Sequence, residues 1–244
     1  MRSNLAGLAI GVVTLLALWP LYDWVTNLSQ KQTDDSENSG STGTDTGAPD
    51  ATATGETFYG DETDDTYTGT AGSDFIFGFA GSDSLTGGAG EDLLSGGTGN
   101  DTFRFSDGDS TEGNEAPSPS AFDVIKDWTS GSNAIDHTGG DIIVGGSSAA
   151  AVAGDASISE AGLATFDPDD DTLAERLAAT EADLSLESGA EPREFAFFQH
   201  TDGNAYVFIS DGSAGLTSGD TFIQLEGASS LSAATITDGD LFIA

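Results

Sequence analysis

Residues 60–104 read, in blocks of nine, GDETDDTYT, GTAGSDFIF, GFAGSDSLT, GGAGEDLLS and GGTGNDTFR. Glycine opens every block, at Gly60, Gly69, Gly78, Gly87 and Gly96. A second glycine holds position four of the last four blocks, at Gly72, Gly81, Gly90 and Gly99, where the first block has Thr63. Position six is always aspartate: Asp65, Asp74, Asp83, Asp92 and Asp101. Position eight is always large and apolar or aromatic: Tyr67, Ile76, Leu85, Leu94 and Phe103. A degenerate block is expected ahead of them, since Glu56 and Phe58 fall at positions six and eight of residues 51–59.

Glycine and small polar residues suit a tight turn over the first six positions, because glycine tolerates positive φ and close backbone approach. The last three positions suffice for a short strand with one side chain pointing inward. If two blocks make one turn of a coil, position six of blocks i and i+2 stack on the same edge. The expected pairs are Asp65 with Asp83, Asp74 with Asp92 and Asp83 with Asp101, with Glu56 and Asp74 as a weaker fourth. Stacked carboxylates repel one another, while glycine loops offer backbone carbonyls. An oxygen-only site of this kind suits a hard cation, and the larger, geometrically tolerant Ca²⁺ fits better than Mg²⁺. Stacking implies about three or four ions.

The pattern resembles GGxGxDxUx, the repeat of the RTX, or hemolysin-type, calcium-binding family. The resemblance covers these blocks closely. It implies an all-β fold built on a right-handed parallel β-roll, with calcium as the bound ion. Its metal residues are then Asp65, Asp74, Asp83, Asp92 and Asp101 with the glycines Gly72, Gly81, Gly90 and Gly99.

The 244 residues include 42 acidic and six basic side chains, a formal net charge of −36. No basic stripe exists to neutralise phosphates, so nucleic acid is excluded as a partner. Such charge opposes compaction unless cations or salt screen it, and it also fits a saline setting. With no cysteine in the chain, core and metal must hold the fold without disulfides.

Ser3 to Tyr22 carries no charge and is long enough to cross a hydrocarbon core of roughly 30 Å. Arg2 before it and the acids after it place the remainder of the chain outside the membrane. Residues 1–28 are therefore read as a transmembrane signal-anchor, against the competing reading of a cleaved signal peptide. Residues 29–53, rich in Ser, Thr, Gly and Asp, form an expected disordered linker. The β-roll is assigned to 54–105, a loop to 106–120, and a small β-rich domain with one or two helices to 121–244.

In that last region strands are expected at residues 122–127, 134–136, 141–144, 194–200, 204–210, 221–225 and 240–244, with a hairpin turn at Asp202-Gly203. Thr172 and Glu175 form an expected capping box opening a helix with Leu173, Leu177 and Leu184 on one side. The run from Phe122 to Val144 is similar to segments that follow RTX arrays, and the β-rich end to the carboxyl-terminal regions of RTX proteins exported by type I systems. Asp123, Asp127 and Asp136 have two open readings, further calcium ligands or solvent-facing strand residues. Asp107, Asp109 and Thr111 imitate an EF-hand start, but Glu112 stands where that loop needs glycine, so the segment is read as a loop.

Nothing in the pattern points to catalysis. His137 and His200 are isolated, no serine sits in a G-x-S-x-G elbow, and there is no thiol. The favoured function is a calcium-binding bacterial surface or secreted protein that folds on meeting extracellular calcium, with a structural or adhesive role and a surface or matrix partner. The alternative is a type I secretion cargo whose repeats and carboxyl terminus serve export. A hydrolase hidden in 122–244 is a distant third.

Overall fold

Each block of nine folds as a loop followed by a three- or four-residue strand. The strands are β1 (Thr57–Tyr59), β2 (Thr66–Thr68), β3 (Phe75–Phe77), β4 (Ser84–Thr86), β5 (Leu93–Ser95) and β6 (Thr102–Phe105). The chain alternates between two sheets, so each strand pairs in parallel with the next but one, as in Phe58↔Ile76↔Leu94 and Tyr67↔Leu85↔Phe103. Two blocks thus make one turn, and the degenerate block containing Phe58 takes part as β1. The computed structural model describes residues 54–109, 121–128, 132–139, 142–145, 156–184, 193–213, 215–228 and 230–244. The expected anchor in 1–28, the linker in 29–53 and the rest of the 106–120 loop lie outside the described residues. Among the described residues, no helix is long and apolar enough to cross a membrane.

Pleating sends position eight inward and positions seven and nine outward. Ile76, Leu85, Leu94 and Phe103 are fully buried, whereas Phe58 and Tyr67 are half-buried and stack on each other across the first turn. The columns continue beyond the repeats. β7 (Asp123–Ile125) follows β5 and β8 (Ala134–His137) follows β6, with Leu94↔Ile125 and Phe103↔Ile135 in register.

The remaining strands are β9 (Ile142–Val144), β10 (Ser157–Ile158), β11 (Ala164–Thr165), β12 (Arg193–Gln199), β13 (Ala205–Ser210), β14 (Thr221–Leu225), β15 (Ala234–Thr237) and β16 (Asp240–Ile243). β10 and β11 pair with each other in a sheet of their own, and the others extend both sheets of the roll. One sheet has eight strands in the order β1-β3-β5-β7-β14-β13-β12-β9, and the other has six in the order β15-β16-β8-β6-β4-β2. Leu225 pairs with Ile125 and Leu241 with Ile135, so one apolar cluster runs from Ile76 to Ile243. Trp128 packs on Phe103, and its indole N–H donates to the Ile243 carbonyl at 3.2 Å.

Helix α1 (Leu173–Leu184) opens with the expected capping box: the Glu175 N–H donates to Thr172 Oγ1, and the Thr172 N–H to Glu175 Oε2. Leu177 and Leu184 are buried, and Leu173 packs at the margin of the second apolar cluster. That cluster sits between α1 and the outer face of β12–β14 and includes Phe198, Tyr206, Phe208 and Phe222. β13 is therefore buried along its whole length. The short pair β10–β11 and strand β15 add to the strands expected from the sequence.

The core makes a contrast testable by urea unfolding in saturating calcium. Phe103→Ala should cost about 3–5 kcal/mol, because the ring is fully buried between the strands of Leu85 and Ile135 with Trp128 packed on it. Tyr59→Ala, at 66% exposure, should cost under about 1 kcal/mol.

Candidate metal centre

The loops bring the position-six aspartates into two ladders. On one edge the Asp65 N–H donates to Asp83 Oδ1 at 2.8 Å, and the Asp83 N–H to Asp101 Oδ1 at 3.1 Å. On the other, the Glu56 N–H donates to Asp74 Oδ1, and the Asp74 N–H to Asp92 Oδ1 at 2.7 Å. The stacked pairs are those the sequence spacing predicts. Both ladders gain one rung that no repeat supplies. The Asp92 N–H donates to Asp123 Oδ1 at 2.8 Å, 31 residues on, and the Asp101 N–H to Asn133 Oδ1 at 3.1 Å, 32 residues on.

From Asp74 to Asp101 one carboxylate oxygen of each rung is taken by this ladder, and the second oxygen differs along the array. In the first two blocks it accepts an N–H from position two of its own loop, Asp61 to Asp65 Oδ2 at 2.9 Å and Thr70 to Asp74 Oδ2 at 2.6 Å. In the last three blocks position two has positive φ, at Phe79 (77°), Gly88 (99°) and Gly97 (89°). There Asp83, Asp92 and Asp101 each carry a buried Oδ2 without a hydrogen-bond partner. Buried polar atoms are rarely left so, and an orphaned anionic oxygen asks for a cation.

The glycines shape the space around these oxygens. A Cβ on Gly78 would strike Asp83 Oδ2 and meet the Gly96 carbonyl oxygen of the next turn, and Gly60 and Gly69 stand likewise toward Gly78 O and Gly87 O. Position one therefore leaves a cradle lined by a carboxylate and a carbonyl oxygen, and only glycine leaves it open. The position-four glycines serve turn-to-turn contact instead: Gly99 lies on Gly81, Gly90 on Gly72, and Gly81 on Thr63 and Asp64. Gly81, Gly90 and Gly99 combine positive φ (129°, 127° and 140°) with this close approach. Gly72 turns its N–H to Thr70 Oγ1. Among the described residues no three carboxylate or imidazole side chains converge on one point, so carbonyls must complete any cation site. One or two carboxylates with several carbonyls is a calcium donor set.

The structure places the later acids differently from one another. Asp123 is a buried rung of the ladder. Asp127 caps the end of the roll, accepting from the Gly96 and Gly97 N–H groups and Ser95 Oγ. Asp136 pairs with Arg104 at 2.9 Å on the outer face. In the 106–109 loop Asp107 pairs with Arg193, and Asp109 Oδ2 accepts the Ser106 N–H at 2.7 Å. His137 is buried with Nε2 3.3 Å from Thr221 Oγ1, and His200 Nδ1 lies 3.3 Å from Asp202 Oδ2.

Burial raises the pKa of Asp74, Asp83 and Asp101, against the backbone N–H that each accepts from its stacked neighbour, which lowers it, while the neighbour's charge raises it by less. For Asp92, burial and then the charges of Asp74 and Asp109 push it up to about 9.

With this geometry in place, comparison with known proteins shows what the array is similar to. Residues 59–94 and 77–112 match the family model of the RTX calcium-binding nonapeptide repeat, in four copies. The chain therefore carries RTX repeats, which implies calcium binding. Two solution structures of subunits of the mannuronan C5-epimerase of Azotobacter vinelandii are similar. AlgE6R3 is 23% identical, with 79% of this chain and 80% of that one covered and a TM-score of 0.39. AlgE6R2 is 21% identical, with 72% and 85% covered and a TM-score of 0.35. No curated protein matches the sequence.

A raised folded-state pKa stabilises the fold while the group is protonated, fully below the ordinary carboxylate value, and this is lost as pH rises through the folded value. In chelator the melting temperature should therefore fall as pH climbs from about 5 to about 9, where Asp92 ionises. Asp92→Asn keeps the acceptor for the Asp74 N–H and should remove much of the slope above about pH 7, read by thermal melts across pH. Saturating calcium, which competes with protons for the same oxygens, should reverse the slope.

Proposed function

We propose that this chain is an extracytoplasmic calcium-binding protein of structural or adhesive role, whose repeats become ordered when they meet extracellular calcium. The observation that supports this reading best is the run of unpartnered, buried Oδ2 atoms at Asp83, Asp92 and Asp101. Ionised and without a counter-charge they oppose folding; with calcium between turns the same atoms hold successive turns together. A cation bound by the folded roll and not by the unfolded chain adds its binding free energy to stability. The proposed ligands are the side chains of Asp65, Asp74, Asp83, Asp92 and Asp101 with carbonyls of the glycine loops, in which Gly72, Gly81, Gly90 and Gly99 shape the backbone.

A calcium-poor cytosol would leave such a chain poorly ordered and an external medium would complete it, which favours function outside the cytoplasm. The uncharged segment from Ser3 to Tyr22 supplies a route to the membrane in this reading.

Calcium titration of the full chain, followed by far-ultraviolet circular dichroism with magnesium as control, tests the proposal. The expected result is a cooperative gain of β signal at roughly 10⁻⁴ to 10⁻³ M calcium and none with magnesium. A chain whose spectrum and melting temperature ignore calcium would overturn it. Asp83→Ala removes both the acceptor for the Asp65 N–H and an unpartnered Oδ2. It should raise the calcium midpoint roughly tenfold or more, whereas Asp136→Ala on the outer face should leave it in place.

A further inference from the structure

Acidic side chains outnumber basic ones by 42 to six in this chain, so a cation finds an acidic partner easily. Three of the four Lys and Arg side chains among the described residues have done so: Arg104 pairs with Asp136, Lys126 with Glu226 and Arg193 with Asp107. The fourth, Arg176 on α1, pairs with no carboxylate among the described residues.

Arg176 is nonetheless held in place. Its Nε donates to the Asp170 carbonyl at 3.0 Å and its Nη1 to the Gln199 carbonyl at 2.8 Å. The guanidinium carbon lies 5.2 Å from the centre of the Phe166 ring, which is itself set edge-on against the buried Phe198. Two neutral carbonyls and a ring face orient the guanidinium without neutralising it. Nη2 donates to no described residue.

The same side chain lines a cavity of about 350 Å³, whose apolar wall includes Leu163, Phe166 and Pro168. Small-ligand sites span roughly 300–1,000 Å³ and combine an apolar lining with a few placed polar groups. Asp167, the one acid of the lining, turns its Oδ1 to the Asp169 N–H at 3.0 Å. An oriented guanidinium without a counter-charge, set in an apolar wall, suits a small organic acid: the planar donors take the carboxylate and the wall takes the rest.

We propose that this cavity binds a small monocarboxylate, with its carboxylate on Arg176 and its apolar body against Phe166, Leu163 and Pro168. The site lies outside the repeats and shares no residue with the calcium ligands, so it stands or falls independently of them.

Saturation-transfer NMR on the full chain tests it, in saturating calcium chloride and about 0.15 M sodium chloride to screen the net charge. The probes are butyrate and benzoate, and the controls are their neutral amides, butyramide and benzamide. At least one acid should bind roughly tenfold more tightly than its amide. Arg176→Met keeps an apolar stem without the charge and should bring the acid down to the level of the amide. Thr165→Glu, at an exposed position of the lining, leaves Arg176 and its carbonyl contacts in place and adds a competing carboxylate. It should abolish binding with the melting temperature kept, which guards against a folding defect in the first variant. Lys126→Met, at the cation paired with Glu226, should leave binding as it was. No binding of either acid, equal binding of acid and amide, or acid binding that survives both Arg176→Met and Thr165→Glu would overturn the site. Each of those outcomes leaves the calcium reading standing.

Discussion

The structure depends on one hydrogen bond repeated along two edges, from the backbone N–H of a position-six aspartate to the carboxylate of the aspartate one turn on. This bond sets the register between turns as firmly as the strand pairing does, and it draws the carboxylate into the wall of the roll. Burial then makes the charge costly: the same side chain that satisfies a backbone donor offers an anionic oxygen with nothing to neutralise it. A neutral amide would serve the hydrogen bond without the cost, as Asn133 does at one end. Retaining aspartate through five blocks makes sense only if the cost is offset by an ion from outside.

Much of this could be read from the sequence, because the repeat is strictly phased. Nine residues, one glycine cradle, one acid and one inward apolar side chain fix the turn, the ladder and the core column together. The capping box at Thr172 and Glu175 and the hairpin at Asp202-Gly203 were equally legible, since each is a local device with its own residues. The continuation of the ladders was not. Asp123 and Asn133 follow their partners by 31 and 32 residues instead of 18, and an insertion erases the phase that makes a repeat visible. Nor does a local pattern announce that β7 pairs with β14 or β8 with β16, because long-range pairing leaves no mark on either strand.

Position four shows how a departure from the pattern is explained by place. Thr63 stands where later blocks have glycine, and Gly81 must be glycine because its α-carbon lies on the Thr63 backbone. Position two shows the reverse case. Phe79 adopts a positive φ of 77° that its successors Gly88 and Gly97 reach with less strain, and its ring is left half exposed beside Tyr59. That backbone turn accompanies the change from a satisfied to an unpartnered Oδ2 along the array.

The two ends of the roll are chemically unlike. At the first turn Phe58 and Tyr67 are only half-buried, and the Asp65 and Asp74 oxygens find donors within their own loops. At the far end the strands are paired to β14 and β16, the apolar column runs on into Leu225 and Leu241, and Asp127 closes the last glycine loop. The most deeply buried, unpartnered carboxylates are thus held where the framework is stiffest and can keep them close despite their repulsion. A preformed end of this kind lowers the entropy lost in placing the first ion, because the ligands are already ordered by the core behind them. Each turn added toward β1 then rests on a completed one, with less apolar burial behind it and with carboxylate oxygens that its own loop already satisfies.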